Sequence, residues 1–193
     1  MAIERLFSGQ TPVNVNSDEG MGVVLATGFT VDVEGNVIGI EFYTPTTLAA
    51  SYVLQLYVAT SHDDTPGTGI LLGEGTINSG LVANTWTDVM LDEPVQVFPD
   101  IYYKACYHAS NGRHNGTPNF FNAFDLVSGN LTAWRNGSDP VGLGSMRNGT
   151  YSDSATPIYP NDYFDATCYF VGPIFDNDPE AFDAHSTSGL LVF

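Results

Sequence analysis

The sequence has 193 residues, a length suited to one domain with little room for a second. Apolar residues make up 43%, which supports a real core and excludes wholesale disorder, while charged residues reach only 14% against about 25% in ordinary soluble domains. Asp and Glu number 22 against 5 Lys and Arg, and the resulting charge of −17 excludes the basic face that nucleic acid or an anionic membrane surface requires.

The chain opens MAIERLFSGQTPVN, without the basic n-region and apolar h-region of a leader peptide. No apolar run approaches the roughly 18 residues of a membrane helix. Residues 1–19 read as an N-terminal arm, 20–172 as the folded domain and 173–193 as a C-terminal tail. Within the domain the apolar period is two almost throughout, which is the signal of half-buried strands. Strands are expected at Phe29–Val33, Val37–Tyr43, Tyr52–Ala59, Gly69–Ile77, Trp86–Leu91, Val95–Phe98, Ile101–His108 and Tyr163–Val171. Glu34-Gly35-Asn36 marks a turn, and His62-Asp63-Asp64-Thr65-Pro66-Gly67 a polar loop. Residues 109–162 are loop-rich, with short strands expected near Asn130–Arg135 and Phe120–Leu126. A helical start is expected only at Asp178-Pro179, where Asp caps and Pro takes the first position.

Short strands at this spacing, Gly-rich turns and near absence of helical period predict an all-β antiparallel sandwich of jelly-roll type, with a barrel as second choice. Strand parity places Ile38, Ile40, Phe42, Leu54, Leu56, Val58, Tyr103, Ala105, Phe164, Ala166 and Phe170 inward. Cys106 falls on a half-polar face and Cys168 on an apolar one, so two free thiols are expected rather than a bridge.

The chemistry-bearing residues assemble into no catalytic motif. His108 and His114 bracket the turn Ser110-Asn111-Gly112, but no further Cys or His pair completes a zinc site. There is no Gly-x-Ser-x-Gly elbow, and 22 acids allow carboxylate pairs to be drawn anywhere. Asp176-Asn177-Asp178-Pro179-Glu180 begins like a calcium loop, but Ala181 and Thr187 occupy the positions of the turn Gly and the bidentate Glu. No enzyme, metal or cofactor is therefore expected. The sequons at Asn115, Asn130, Asn136 and Asn148 are read as turns. Trp86 is expected in the core, whereas Trp134, Arg135 and Tyr151 lie in Gly- and Asn-rich surroundings and are the candidate glycan contacts.

The ordered series Gly28-Phe29, Gly35 to Tyr43, Leu54-Gln55-Leu56-Tyr57, Trp86-Thr87-Asp88-Val89, Pro94-Val95, Tyr103-Lys104-Ala105, Asn111-Gly112, Leu131-Thr132-Ala133, Asn148-Gly149-Thr150-Tyr151 and Tyr163-Phe164-Asp165 resembles a bacterial β-sandwich family of unknown function. That family is appended to secreted carbohydrate-active and cell-surface proteins, and a similar domain stands alone among bacteriophage virion proteins. The resemblance implies a structural protein on the exterior of a phage particle, as head decoration or tail component, with a weak capacity for host-surface glycan. Its partners are then other virion proteins or copies of itself, with neither nucleic acid nor membrane. It would be made in the host cytoplasm without a leader. The alternative is a carbohydrate-binding module of a secreted or cell-surface protein. For attachment, the exposed apolar ends supply the candidates: Ile3, Leu6 and Phe7, and Leu190, Leu191, Val192 and Phe193.

Overall fold

The structure, a computed structural model, describes residues 3–7, 9–60 and 69–178. Its strands in chain order are β1 (Ile3–Arg5), β2 (Asn14–Asp18), β3 (Val23–Val31), β4 (Gly35–Tyr43), β5 (Tyr52–Ala59), β6 (Gly69–Ile77) and β7 (Trp86–Val97). After these come β8 (Tyr103–Ala109), β9 (Arg113–Gly116), β10 (Leu126–Ser128), β11 (Leu131–Ala133), β12 (Thr150–Asp153), β13 (Asp162–Tyr163) and β14 (Val171–Asp176). Among the described residues the helical structure is a single 3-10 turn at Phe120–Asn122.

One sheet runs β1-β14-β4-β7, and a larger one runs β10-β11-β3-β8-β5-β6 with β12 and β13 attached. β12 and β11 share one edge of β3 end to end, at Val23–Ala26 and at Thr30–Val31 respectively. All pairings are antiparallel and the sheets stay open, so the architecture is a sandwich and not a barrel. The core lies between the two sheets. Val37, Ile40, Phe42, Val89, Val97 and Phe175 face Leu25, Phe29, Tyr52, Leu54, Leu56, Tyr103, Ala105 and Tyr107. Phe42 joins the layers through ring contacts with Tyr52 at 4.9 Å and Tyr107 at 5.1 Å.

Parity along β3, β5 and β8 follows the alternation of a pleated strand, but the opposite faces are buried as well. Val24, Ala26, Tyr57 and Cys106 form a second apolar cluster beneath Tyr159. Lys104 lies in this layer, its Nζ donating to Pro160 O at 3.0 Å and Thr150 Oγ1 at 3.1 Å and sitting 4.5 Å from the Tyr159 ring centroid. The stretch 154–161 thus adds a third layer, and that is why Cys106, expected on a half-polar face, is buried. Cys106 and Cys168 are both free and buried.

Several expectations change. Phe164, expected inward, is 56% exposed. The chain stops being a strand after Tyr163, and left-handed Asp165 (φ 48°) and Ala166 (φ 45°) break the parity. The closing strand is therefore Val171–Asp176 instead of Tyr163–Val171. Ile38 is half-buried because the β4–β7 register shifts between Val37 and Gly39, and Val37 takes the inward position. Val58 is likewise only partly buried, packed against the core edge. Trp86 to Leu91 and Val95 to Phe98, expected as two strands, form the single irregular β7. Residues 3–5 and 14–18 pair into sheets, residues 173–176 complete β14, and Leu6 and Phe7 are buried in the core. Phe7 stacks on Trp86 with ring centroids 5.4 Å apart.

Candidate functional site

A cleft of about 340 Å³ opens where the small β2–β9 sheet meets β3, β12 and the turn after β13. Its floor is apolar, from Val23 and Leu25 of β3 and Tyr169. Asn14, Ser17 and Glu19 line one side, His114 and Gly116 the next, and Tyr151, Phe164 and Thr167 the remainder. The β2–β9 register shifts between Asn14 and Ser17, so the irregularity lies in the cleft wall. Bulges commonly re-aim side chains beside binding sites.

The turn carrying Phe164 and Thr167 holds Asp165, Ala166 and, a little further on, Phe170 (φ 52°) in the left-handed region. Such residues cost of order 1–3 kcal/mol each and persist only where neighbours over-determine them. Here the neighbours are explicit. Asn119 N donates to Asp165 O at 2.7 Å, Phe121 N to Ala166 O at 3.1 Å, and Thr117 and Cys168 exchange backbone bonds at 3.0 and 3.1 Å. Phe164 is thereby held out over the cleft on a fixed turn.

His114 is the buried polar centre. Its Nδ1 faces Gly112 O at 3.3 Å, its Nε2 lies 3.6 Å from Glu19 Oε1, and its ring meets Tyr169 edge-on at 5.8 Å. Burial pushes the imidazole below its usual value, against the pull of the Gly112 carbonyl and Glu19, and so disfavours its charged form. The Tyr151 hydroxyl is raised by burial and then by Asp162, Asp153 and Glu19. Asp18 is paired with Arg113 at 2.5 Å. Among the described residues, no three His, Cys, Asp or Glu side chains come together to hold a metal ion.

Of the residues singled out by sequence, Tyr151 lies in this cleft and Trp134 does not. Trp134 lines a separate hollow of about 180 Å³ with Asp32, Asp100 and Val141, and its Nε1 donates to Thr30 Oγ1 at 2.9 Å. Arg135 is exposed, with its backbone N–H bound to Asp125 Oδ1 at 2.7 Å. Ile3 is exposed on β1, whereas Leu6 and Phe7 are core residues and present no free anchor. Leu190, Leu191, Val192 and Phe193 lie outside the described residues, as does all but Asp178 of the expected helical start. Glu19, Phe164 and Tyr169 were not singled out by sequence as one site. They come from distant segments, and the one local signal was the Asn111-Gly112 turn that sets His114 across from Ser17.

No curated protein matches the chain. A family described as a domain of unknown function (DUF4082) matches residues 9–171, which spans all the strands lining the cleft, and the chain belongs to that family.

Proposed function

We propose that the protein is a non-catalytic carbohydrate-binding module whose site is the cleft around Tyr151, Phe164 and His114. The observation that carries this reading is an open cleft that sets aromatic rings beside convergent hydrogen-bonding groups. Saccharides bind by laying the apolar face of a pyranose on an aromatic ring while fixed polar groups take the hydroxyls. Phe164, Tyr151 and Tyr169 supply rings, and Asn14, Ser17, Glu19 and His114 supply the polar groups. His114, whose Nδ1 is held against the Gly112 carbonyl, supports recognition over nucleophile activation. Titration calorimetry against a panel of neutral and amino-bearing oligosaccharides tests this. Phe164→Ala is expected to weaken binding about tenfold or more while leaving thermal stability nearly unchanged, since the ring is mostly exposed. Absence of binding across the panel overturns the reading.

The second reading is a structural role on a phage particle, with other virion proteins or copies of the chain as partners. Its support is an exposed apolar run, Ile70, Leu71 and Leu72, on the edge strand β6, a place where another chain can add. Mass spectrometry of purified particles tests it: many copies per particle are expected, and absence from the particle rejects it.

A further inference from the structure

We propose that the cleft selects saccharides bearing free, protonated amino groups, an inference that rests on the saccharide reading and narrows it. The sign of charge around the cleft is the starting point. Glu19 lines it directly, and Asp153 and Asp162 lie near enough to act on Tyr151. Asp18 is already matched by Arg113, but Glu19 has one ion-pair candidate among the described residues, the His114 imidazole. That imidazole stands 3.6 Å from the carboxylate, outside hydrogen-bond reach, and its burial disfavours the charged form that would compensate Glu19. Among the described residues, neither Lys nor Arg lines the cleft.

A ligand entering such a cleft strips water from the Glu19 carboxylate. A neutral sugar returns only hydrogen bonds, and an acidic sugar adds repulsion. A protonated amine returns a full charge. The same ammonium gains from aromatic faces, whose ring quadrupoles attract cations, and Tyr151, Phe164 and Tyr169 border the same space. Carboxylate and rings together therefore rank ligands as amino sugar, then neutral sugar, then acidic sugar.

The test compares two tetrasaccharides on the full chain, fully deacetylated chitosan and its N-acetylated counterpart. Calorimetry is run at mildly acidic pH, where the amines are protonated, and at physiological ionic strength, which limits long-range attraction to about 8 Å. The deacetylated ligand is expected to bind about tenfold tighter. Glu19→Gln is expected to bring the ratio of the two affinities to within about twofold. As a control for the charge of −17, Asp92→Asn with Glu93→Gln removes two exposed acids from the edge strand β7 and is expected to preserve the ratio. Equal binding of both ligands by the unaltered protein overturns amine selection and leaves the saccharide reading standing. Binding of neither overturns both. A remote double variant that lowers the ratio as much as Glu19→Gln assigns the preference to overall charge and also rejects the proposal.

Discussion

Glu41 sits in the middle of β4, is only 2% exposed, and has apolar neighbours Ile40 and Phe42 on either side. Arg5 Nε approaches its Oε2 at 3.3 Å and Phe7 N–H donates to Oε1 at 3.4 Å. Both favour the charged form. Desolvation outweighs them, because the guanidinium is over a third exposed and shared with Asp88 at 2.5 Å, so the carboxyl is pushed up from 4.5 to about 8. A raised acid binds a proton more tightly folded than unfolded. Its contribution to stability is therefore full below about pH 4.5 and is lost as pH rises through about 8. His114, with its lowered value, slopes the opposite way near neutrality, so the comparison must be made against a variant. The melting temperature of Glu41→Gln, measured from pH 4 to 9, is expected to lack the decline of the parent over that window. Parallel profiles would show that the Arg5 pair keeps Glu41 ionised throughout.

At the scale of elements, β12 and the turn after β13 are fixed to each other through one residue without a side chain. Gly149 has φ +72°, and a Cβ built there would stand 1.8 Å from Thr167 O. Just before it, Asn148 acts as a strand partner. Its Oδ1 accepts from Gly28 N–H at 2.9 Å, and its Nδ2 donates to Gly28 O at 2.9 Å and Trp134 O at 2.8 Å. Asn148 and Asn115 are both buried; Asn148 precedes the left-handed Gly149, as its reading as a turn expects, whereas Asn115, also expected in a turn, lies within β9. Gly149→Ala is expected to cost at least about 2 kcal/mol, from left-handed strain and from the displaced Thr167 carbonyl. Chemical denaturation measures that cost. Because Thr167 lines the cleft, ligand affinity is expected to fall too, even under conditions where the variant is folded. A variant as stable as the parent would mean that the turn gives way freely.

Across the whole molecule, a charge of −17 on 193 residues sets a long-range repulsion between copies. Salt screens it over about 8–10 Å at moderate ionic strength, which exceeds a contact distance but is less than a molecular diameter. Association is therefore expected to respond to salt or acid more than folding does, with the apolar run on β6 as the surface that meets once repulsion falls. Sedimentation velocity from low to high salt checks this: the association equilibrium is expected to strengthen while the melting temperature moves little. Association unchanged by salt rejects the idea, and retention on a phosphate-rich column would contradict the charge argument directly.

The period-two pattern was enough to read an all-β chain and the inward faces of β5 and β8, because alternation against one buried face is a local property. The turn between β3 and β4 falls at residues 32–34, before the expected Glu34-Gly35-Asn36, of which Gly35 and Asn36 pair with β7. The excess of acid is likewise a property of composition, whereas the burial of both free thiols, Cys106 under the third layer, is a tertiary fact. What tertiary structure decided lies where local rules compete with distant partners. Val171–Asp176 became a central strand because β4 and β1 hydrogen-bond to its two edges, and no local pattern announces an edge. Phe164 turned outward because Thr117, Asn119 and Phe121 hold the following backbone in left-handed geometry that its own sequence does not favour. Leu6 and Phe7 read as exposed anchors until β1 folded beside β14 and covered them. The cleft belongs wholly to this second class. Glu19, His114, Tyr151 and Phe164 are separated along the chain by strands that pair out of order, so their meeting is a property of topology, and only the folded sheets place one carboxylate against three rings.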